Sequence, residues 1–154
     1  MFAKAKNGKD VFRTVCKAFD FKDIKCKADE TALQIYSVFN GDDLPISLII
    51  TIDDASSSVD FRCKLAFEAP MSSYNDVLTQ LNMLNNSLRF GSFMLDPESG
   101  WLLFKYGYIY INARPSEELV LSLVSMVVQT VDEHDGNLKK IIPVNTNIPD
   151  PMFG

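Results

Sequence analysis

The middle of the chain alternates apolar and polar residues with a period of two, which is typical of strands that bury one face. The clearest example is residues 59–68, where every second side chain from Val59 to Phe67 is apolar and most of the others are charged. Residues 33–39 and 46–53 alternate in the same way. The pattern therefore predicts a three-stranded antiparallel meander with one wet side.

Three other segments place apolar residues three and four apart, the spacing of an amphipathic helix. The first runs from Gly8 to Phe19 with Asn7 as a candidate cap, the second begins after Ser73, and the third follows Ser116. The pattern of residues 21–29 does not distinguish a loop from a short edge strand, because apolar residues and lysines alternate there only weakly.

A hairpin is predicted between the second and third helices. Residues 90–96 form its first strand, residues 97–100 its turn and residues 101–112 its second strand. The second strand is apolar on both sides, and one side carries Tyr106, Tyr108 and Tyr110. We expect that side to be covered by another element, a second subunit or a bound client, or else to form a partly exposed tyrosine ladder.

The last helix has an unusually wide apolar surface, and only a narrow stripe of the helix, which includes Ser122, Ser125 and Gln129, is polar. One sheet face cannot bury so much surface, which indicates a second contact, most simply in a symmetric dimer. Full burial within a monomer is the alternative. Gly136 is expected to end this helix, and the carboxylates before it are expected to be solvated, since their spacing matches no calcium loop.

The second helix and the hairpin contain two short motifs, Leu81-Asn82-x-x-Asn85 and Phe90-Gly91-x-Phe93-x-x-Asp96, followed by the turn at Gly100. This segment resembles the YbjN-like family of bacterial proteins, which are described as sensory transduction regulators. The resemblance extends over residues 7–132 as an order of elements. It implies a fold similar to the chaperones of type III secretion, which are small dimeric α+β proteins that hold other proteins. It brings no catalytic residues.

The predicted fold is therefore α+β, with an antiparallel sheet of about five strands and three helices in the order α-β-β-β-α-β-β-α. The meander and the hairpin supply the strands. We expect residues 1–136 to form a single domain and residues 137–154, which contain three prolines, to form a tail docked on that domain.

The sequence predicts a cytoplasmic protein. Cys16, Cys26 and Cys63 have no zinc or redox spacing, residues 1–10 lack the apolar run of a signal peptide, and the most apolar segment is too short to span a membrane. Residues 1–27 carry eight basic and three acidic residues, a net charge of +5, whereas the remainder carries seven and seventeen, a net charge of −10. An acidic body repels phosphate backbones, so no nucleic acid partner is expected.

No catalytic motif is present in the sequence. The single histidine, His134, has no nucleophile beside it in the sequence, and the paired aspartates at 42–43 and 53–54 lie in predicted turns, where aspartate is common for backbone reasons. We predict no cofactor, no metal and no enzymatic activity.

The leading hypothesis is a non-enzymatic protein-binding module, adaptor-like or chaperone-like, that acts as a homodimer. Its predicted contact residues lie on the tyrosine side of the hairpin and on the last helix: Tyr106, Tyr108, Tyr110, Leu119, Leu123 and Met126. The alternative is a sensor of a small molecule or an ion, with its pocket between the sheet and the helices.

Overall fold

A computed structural model describes residues 7–111 and 113–143 of the chain. These residues form one antiparallel sheet and three α-helices. The strands are β1 (Lys27–Asp29), β2 (Gln34–Asn40), β3 (Pro45–Asp53), β4 (Ser58–Glu68), β5 (Ser92–Leu95) and β6 (Trp101–Ile109). The helices are α1 (Gly8–Phe21), α2 (Tyr74–Ser87), which follows a short 3₁₀ turn, and α3 (Glu117–Ile141).

The strand order is β1-β2-β3-β4-β6-β5. This confirms the predicted α+β fold, with six strands where about five were expected. The additional strand is β1, which lies in the segment that the sequence left undecided and pairs Lys27 with Tyr36 and Asp29 with Gln34. The strand is short and fully exposed, as suits the edge of a sheet.

The helices cover one face of the sheet only. α3 packs on β3, β4 and β6, α1 lies beside α3, and α2 packs on β5 and α3. The core between these layers is filled by alternate residues of the strands, among them Leu48, Phe61 and Phe104, and by the apolar stripes of the helices. The opposite side of the sheet, called here the outer face, has no helix against it among the described residues.

α3 is longer than predicted, because it continues through Gly136 to Ile141. Its apolar stripe continues too, and Leu138 is buried. Gly136 lies close to the loop between β2 and β3, since a Cβ at this position would lie 2.7 Å from Asp43 Oδ2 at the end of that side chain. Residues 137–141, expected to begin the tail, are therefore helical, and the expected docking of the tail falls mainly on residues 144–154, outside the described part.

The carboxylates near Gly136 are not the solvated helix end that the sequence predicts. Asp132 accepts a hydrogen bond of 2.8 Å from the backbone N–H of Asp42, which ties the β2–β3 loop to α3. Asp135 is only 1% exposed, and its Oδ1 has no hydrogen-bond partner in the described part of the chain. Burial raises the pKa of Asp135 to about 6, and the nearby carboxylates of Asp132 and Asp43 add to the increase.

The segment from α2 to β5 is held by one side chain. Asn85 Oδ1 accepts a hydrogen bond of 2.8 Å from the backbone N–H of Phe93, and Asn85 Nδ2 donates one of 2.9 Å to the Phe93 carbonyl. The amide group thus satisfies the side of β5 that faces away from β6, as a neighbouring strand would. This contact gives a structural reason for the asparagine in the sequence motif.

Tyr110, at the end of β6, is 3% exposed and belongs to the core. The prediction that it lies on an uncovered surface is therefore wrong: β6 turns its even-numbered side chains toward the helices, which already cover this position. The Tyr110 hydroxyl has no hydrogen-bond partner within the described residues. Burial of the ring supplies its contribution to stability, and the hydroxyl lowers that contribution.

We expect stability to fall as the pH rises from about 4 to about 6.5, because the folded state holds the Asp135 proton to a higher pH than the unfolded chain does. Asp135→Asn removes the buried charge and should raise the free energy of unfolding at pH 7.5 by about 1–2 kcal/mol. Urea unfolding at several pH values measures the free energy of unfolding of Asp135→Asn and of wild type. The difference between them should grow as the pH rises from about 4 to about 6.5 and stay constant above that range. Glu133→Gln, at an exposed neighbour, is the control, and an equal response of both variants contradicts the assignment.

Asn85→Ala should lower the free energy of unfolding by about 1–3 kcal/mol, because it leaves the Phe93 N–H and carbonyl without their partners. Asn85→Asp should also destabilise, since a carboxylate cannot donate to the carbonyl. Asn82→Ala, an exposed position on the same helix, should change stability by less than about 0.5 kcal/mol. Chemical denaturation of the three variants checks this ranking, and equal losses at positions 82 and 85 contradict it.

Tyr110→Phe should leave the protein as stable as wild type or more stable by about 1 kcal/mol, because no hydrogen bond is lost. Tyr110→Ala should cost about 3–5 kcal/mol through the cavity it leaves. Tyr74→Phe is the matched control: the Tyr74 hydroxyl donates a hydrogen bond of 3.0 Å to the Pro97 carbonyl, so its removal should destabilise. Thermal unfolding of the variants measures these differences.

Candidate protein-binding surfaces

α3 buries one stripe and leaves a half-buried flank on each side. Its stripe comprises Val120, Val124, Val127, Val131, Asp135 and Leu138, all buried. Leu119, Leu123 and Met126 lie on one flank, and Leu121 and Val128 lie on the other, and all five are partly exposed. The described residues of the monomer therefore cover only part of the wide apolar surface that the sequence shows.

The flank with Leu119, Leu123 and Met126 faces the β5–β6 end of the sheet. The helical spacing continues from these residues to His134, whose ring meets the Phe93 ring of β5 edge-on at 6.0 Å. The opposite flank faces the β2–β3 loop, because Asp132 bonds to Asp42 there. Three of the six predicted contact residues thus share one side of α3.

Tyr106 and Tyr108 are partly buried and pack against the edge of the core. Tyr106 also meets Phe90, with ring centroids 6.5 Å apart in an edge-to-face arrangement, and Phe90 itself is half-exposed. The side of β6 that carries the tyrosines therefore faces the helices, and Tyr106 and Tyr108 are only partly covered there. We call Tyr106, Tyr108, Leu119, Leu123 and Met126 the flank surface; of the six predicted residues it omits only the buried Tyr110.

Sequence reasoning noted that β6 is apolar on both sides but missed the rest of the outer face of the sheet. Six large apolar side chains are exposed there: Tyr36, Val38, Ile49, Met94, Trp101 and Ile109. They interrupt the polar half of the strand alternation, which is the signal that could have identified them. Strand register places the cationic side chains of Arg62, Lys64 and Lys105 among them.

Trp101 is fixed in this face by two contacts. Its indole Nε1 donates a hydrogen bond of 2.9 Å to Glu68 Oε1, and the Lys64 ammonium lies 3.8 Å from the ring centroid. Lys64 and Glu68 are themselves 3.9 Å apart. The three side chains form a surface cluster in which the charges neutralise each other and the aromatic ring stays accessible.

A groove of about 940 Å³ lies between the end of α1 and the exposed side of α3. Phe21, which is 76% exposed, and Leu121 give it apolar walls, and Lys22 and Glu118 lie at its rim. The predicted sensor pocket was placed elsewhere, between the sheet and the helices. That space is occupied by core side chains.

The described side chains show no assembled reactive centre. No group of three or more histidine, cysteine, aspartate or glutamate residues among them is arranged to hold a metal ion. Burial raises the pKa of the Cys63 thiol to about 12, and it also raises the pKa values of Cys16 and Cys26, so none of the three thiols is activated.

No helix in residues 7–111 and 113–143 is long and apolar enough to cross a membrane.

Solved structures share the fold, among them the following two. YbjN, described as "a putative transcription regulator from E. coli", superposes with a TM-score of 0.66 at 13% identity, over 90% of this chain and 95% of its own. A chain of the ExsC–ExsE complex superposes with a TM-score of 0.60 at 11% identity, over 92% of this chain and all of its own. ExsC is a type III secretion chaperone, which confirms the chaperone-like fold that the resemblance implied.

No curated protein matches the sequence. The model of the YbjN family, described as "Putative bacterial sensory transduction regulator", matches residues 9–139. This match includes α2, all six strands and nearly all of α1 and α3. The chain therefore belongs to the YbjN family.

Proposed function

We propose that this protein is a non-enzymatic protein-binding module, adaptor-like or chaperone-like, that acts as a homodimer in the cytoplasm. The observation that carries the proposal is the flank surface, where Tyr106, Tyr108, Leu119, Leu123 and Met126 remain only partly covered by the monomer. Aromatic and aliphatic side chains of this kind supply most of the binding energy in protein interfaces.

The fold supports a protein partner. The ExsC–ExsE complex shows that a chain with this arrangement of helices and strands assembles with another protein. The functional analogy to this chain is our proposal, because the sequences share 11% identity. The client of this chain is a protein segment with apolar side chains that fit the flank surface.

The absence of an activated group among the described residues supports a binding role. The thiols have raised pKa values, and His134 contacts the Phe93 ring and the Glu133 carboxylate rather than a nucleophile. Three unpaired cysteines agree with a reducing compartment. We also propose one domain with a docked tail, in which α3 carries the domain at least to Ile141.

A ligand sensor is the second candidate function, and the groove beside Phe21 favours it. Its apolar walls and charged rim are suited to a small amphipathic molecule. A thermal-shift panel of metabolites tests this function, because a ligand that binds only the folded state raises the melting temperature. A hit that Leu121→Asp abolishes would support the sensor.

Tyr108→Ala and Leu123→Ser should each lower the recovery of co-purifying partners at least about fivefold and shift the solution mass toward the monomer, because both side chains belong to the flank surface. The measurement is a native pull-down from the source cell with quantitative mass spectrometry, together with light scattering of the purified proteins. Leu78→Ser, at an exposed position of α2, is the matched control. Unchanged mass and partners in both flank variants contradict the proposal.

A further inference from the structure

One part of β6 has an open edge, which no strand within residues 7–111 and 113–143 pairs with. β5 pairs with β6 only from Leu102 to Lys105, whereas β4 pairs with β6 as far as Ile109. The Tyr110 N–H bonds to the Ser57 carbonyl on the β4 side, and the Trp101 carbonyl accepts from Asp96 on the β5 side. Since backbone groups alternate along a strand, Gly107 and Ile109 direct their N–H and carbonyl groups to the side that β5 leaves vacant.

β5 begins directly after a tight turn. Gly91 has a φ of +72°, and a Cβ there would clash with the Phe104 ring and the Lys105 carbonyl, so this turn lies close against β6 and the pairing of β5 begins at Ser92. Asn85 closes the outer side of β5 itself. No described residue does the same for Gly107 or Ile109, and residues 106–110 contain none of the lysines or prolines that protect strand edges.

Gly107 is not explained by the monomer. Its φ lies outside the left-handed region, and a Cβ there would meet only Asp60 Oδ1, at an ordinary distance of 3.6 Å. Glycine weakens a strand interior, so its presence here without a local need indicates that another backbone or side chain approaches. Two positions further, Ile109 is 66% exposed on the same outer face.

We propose that this edge pairs with the same edge of a second copy, antiparallel and centred on Tyr108. Gly107 then exchanges both backbone hydrogen bonds with the partner's Ile109, and the twofold axis repeats the pair. On the outer face the exposed Ile109 side chain covers the partner's Gly107. On the helix side Tyr108, which belongs to the flank surface, lies opposite the partner's Tyr108.

The centre at Tyr108 is the register that uses every open backbone group. A centre at Gly107 would place Ile109 opposite the partner's Lys105, whose edge is already paired with Ser92 of its own β5. A centre at Ile109 would require Gly107 to pair with the partner's residue 111, which lies beyond the end of β6 in a turn. The inference rests on the homodimer of the proposed function and specifies its interface.

Cysteine cross-linking tests the register. Residues that face each other in a non-hydrogen-bonded antiparallel pair have Cα atoms about 4.5 Å apart, within the range of a disulfide. In a Cys16→Ser, Cys26→Ser background, Tyr108→Cys should therefore form a disulfide-linked dimer almost completely under mild oxidation. Tyr106→Cys is the matched control, because the two copies of that residue would lie about 14 Å apart along the strands.

A second pair of variants tests the backbone bonds. Ile109→Pro removes an N–H that points to the open edge and is not used for pairing with β4, whereas Ile109→Ala keeps that N–H. We expect the dimer dissociation constant of Ile109→Pro to exceed that of Ile109→Ala about tenfold or more. Sedimentation equilibrium gives both constants, and circular dichroism verifies that each monomer is folded.

The outcomes separate this inference from the proposed function. If wild type is a dimer, but Tyr108→Cys fails to cross-link and the two Ile109 variants dissociate alike, the β6 register is wrong and the dimer uses another surface. If wild type is a monomer at all concentrations, the inference and the homodimer both fail, while client binding is still decided by the pull-down. Cross-linking at Tyr108 but not at Tyr106, with the expected Ile109 ranking, establishes the interface.

Discussion

The pair of hydrogen bonds between Asn85 and the backbone of Phe93 determines how the second half of the fold is arranged. It fixes β5 against α2, and β5 in turn places Phe93 on Phe104 with ring centroids 4.9 Å apart. β5 begins at Ser92 and pairs with β6 only up to Lys105. The side-chain amide thus closes the outer edge of β5, while no described residue does the same for the adjoining stretch of β6.

Much of the fold could be predicted because its signals are local. The strand alternation from Val59 to Phe67 and the stripe of α3 report burial directly, and both were confirmed. β1 was undecidable, because three exposed residues carry no periodic signal. The predicted end of α3 at Gly136 was wrong: the helix continues to Ile141, beside a β2–β3 loop that lies about ninety residues away in sequence and so leaves no local signal.

The candidate site was predicted in part, for a similar reason. Leu119, Leu123 and Met126 share one flank of α3, as their spacing predicts, and Tyr106 and Tyr108 are partly buried against the core on the helix side of β6. Tyr110 was misplaced because a pattern shows which side chains share a face but not how far the covering helix extends. The outer face was overlooked because Ile49 and Tyr36 are apolar residues in positions that the alternation assigns to solvent.

The position of Trp101 has a spectroscopic consequence. It is the only tryptophan in the chain, and it is held on the outer face by Glu68 and Lys64, on the side of the sheet away from the helices. Its emission therefore responds to events on the outer face, while the tyrosines of β6 belong to the helix side. Intrinsic fluorescence excited selectively at tryptophan gives a built-in label for which side of the sheet a bound molecule occupies.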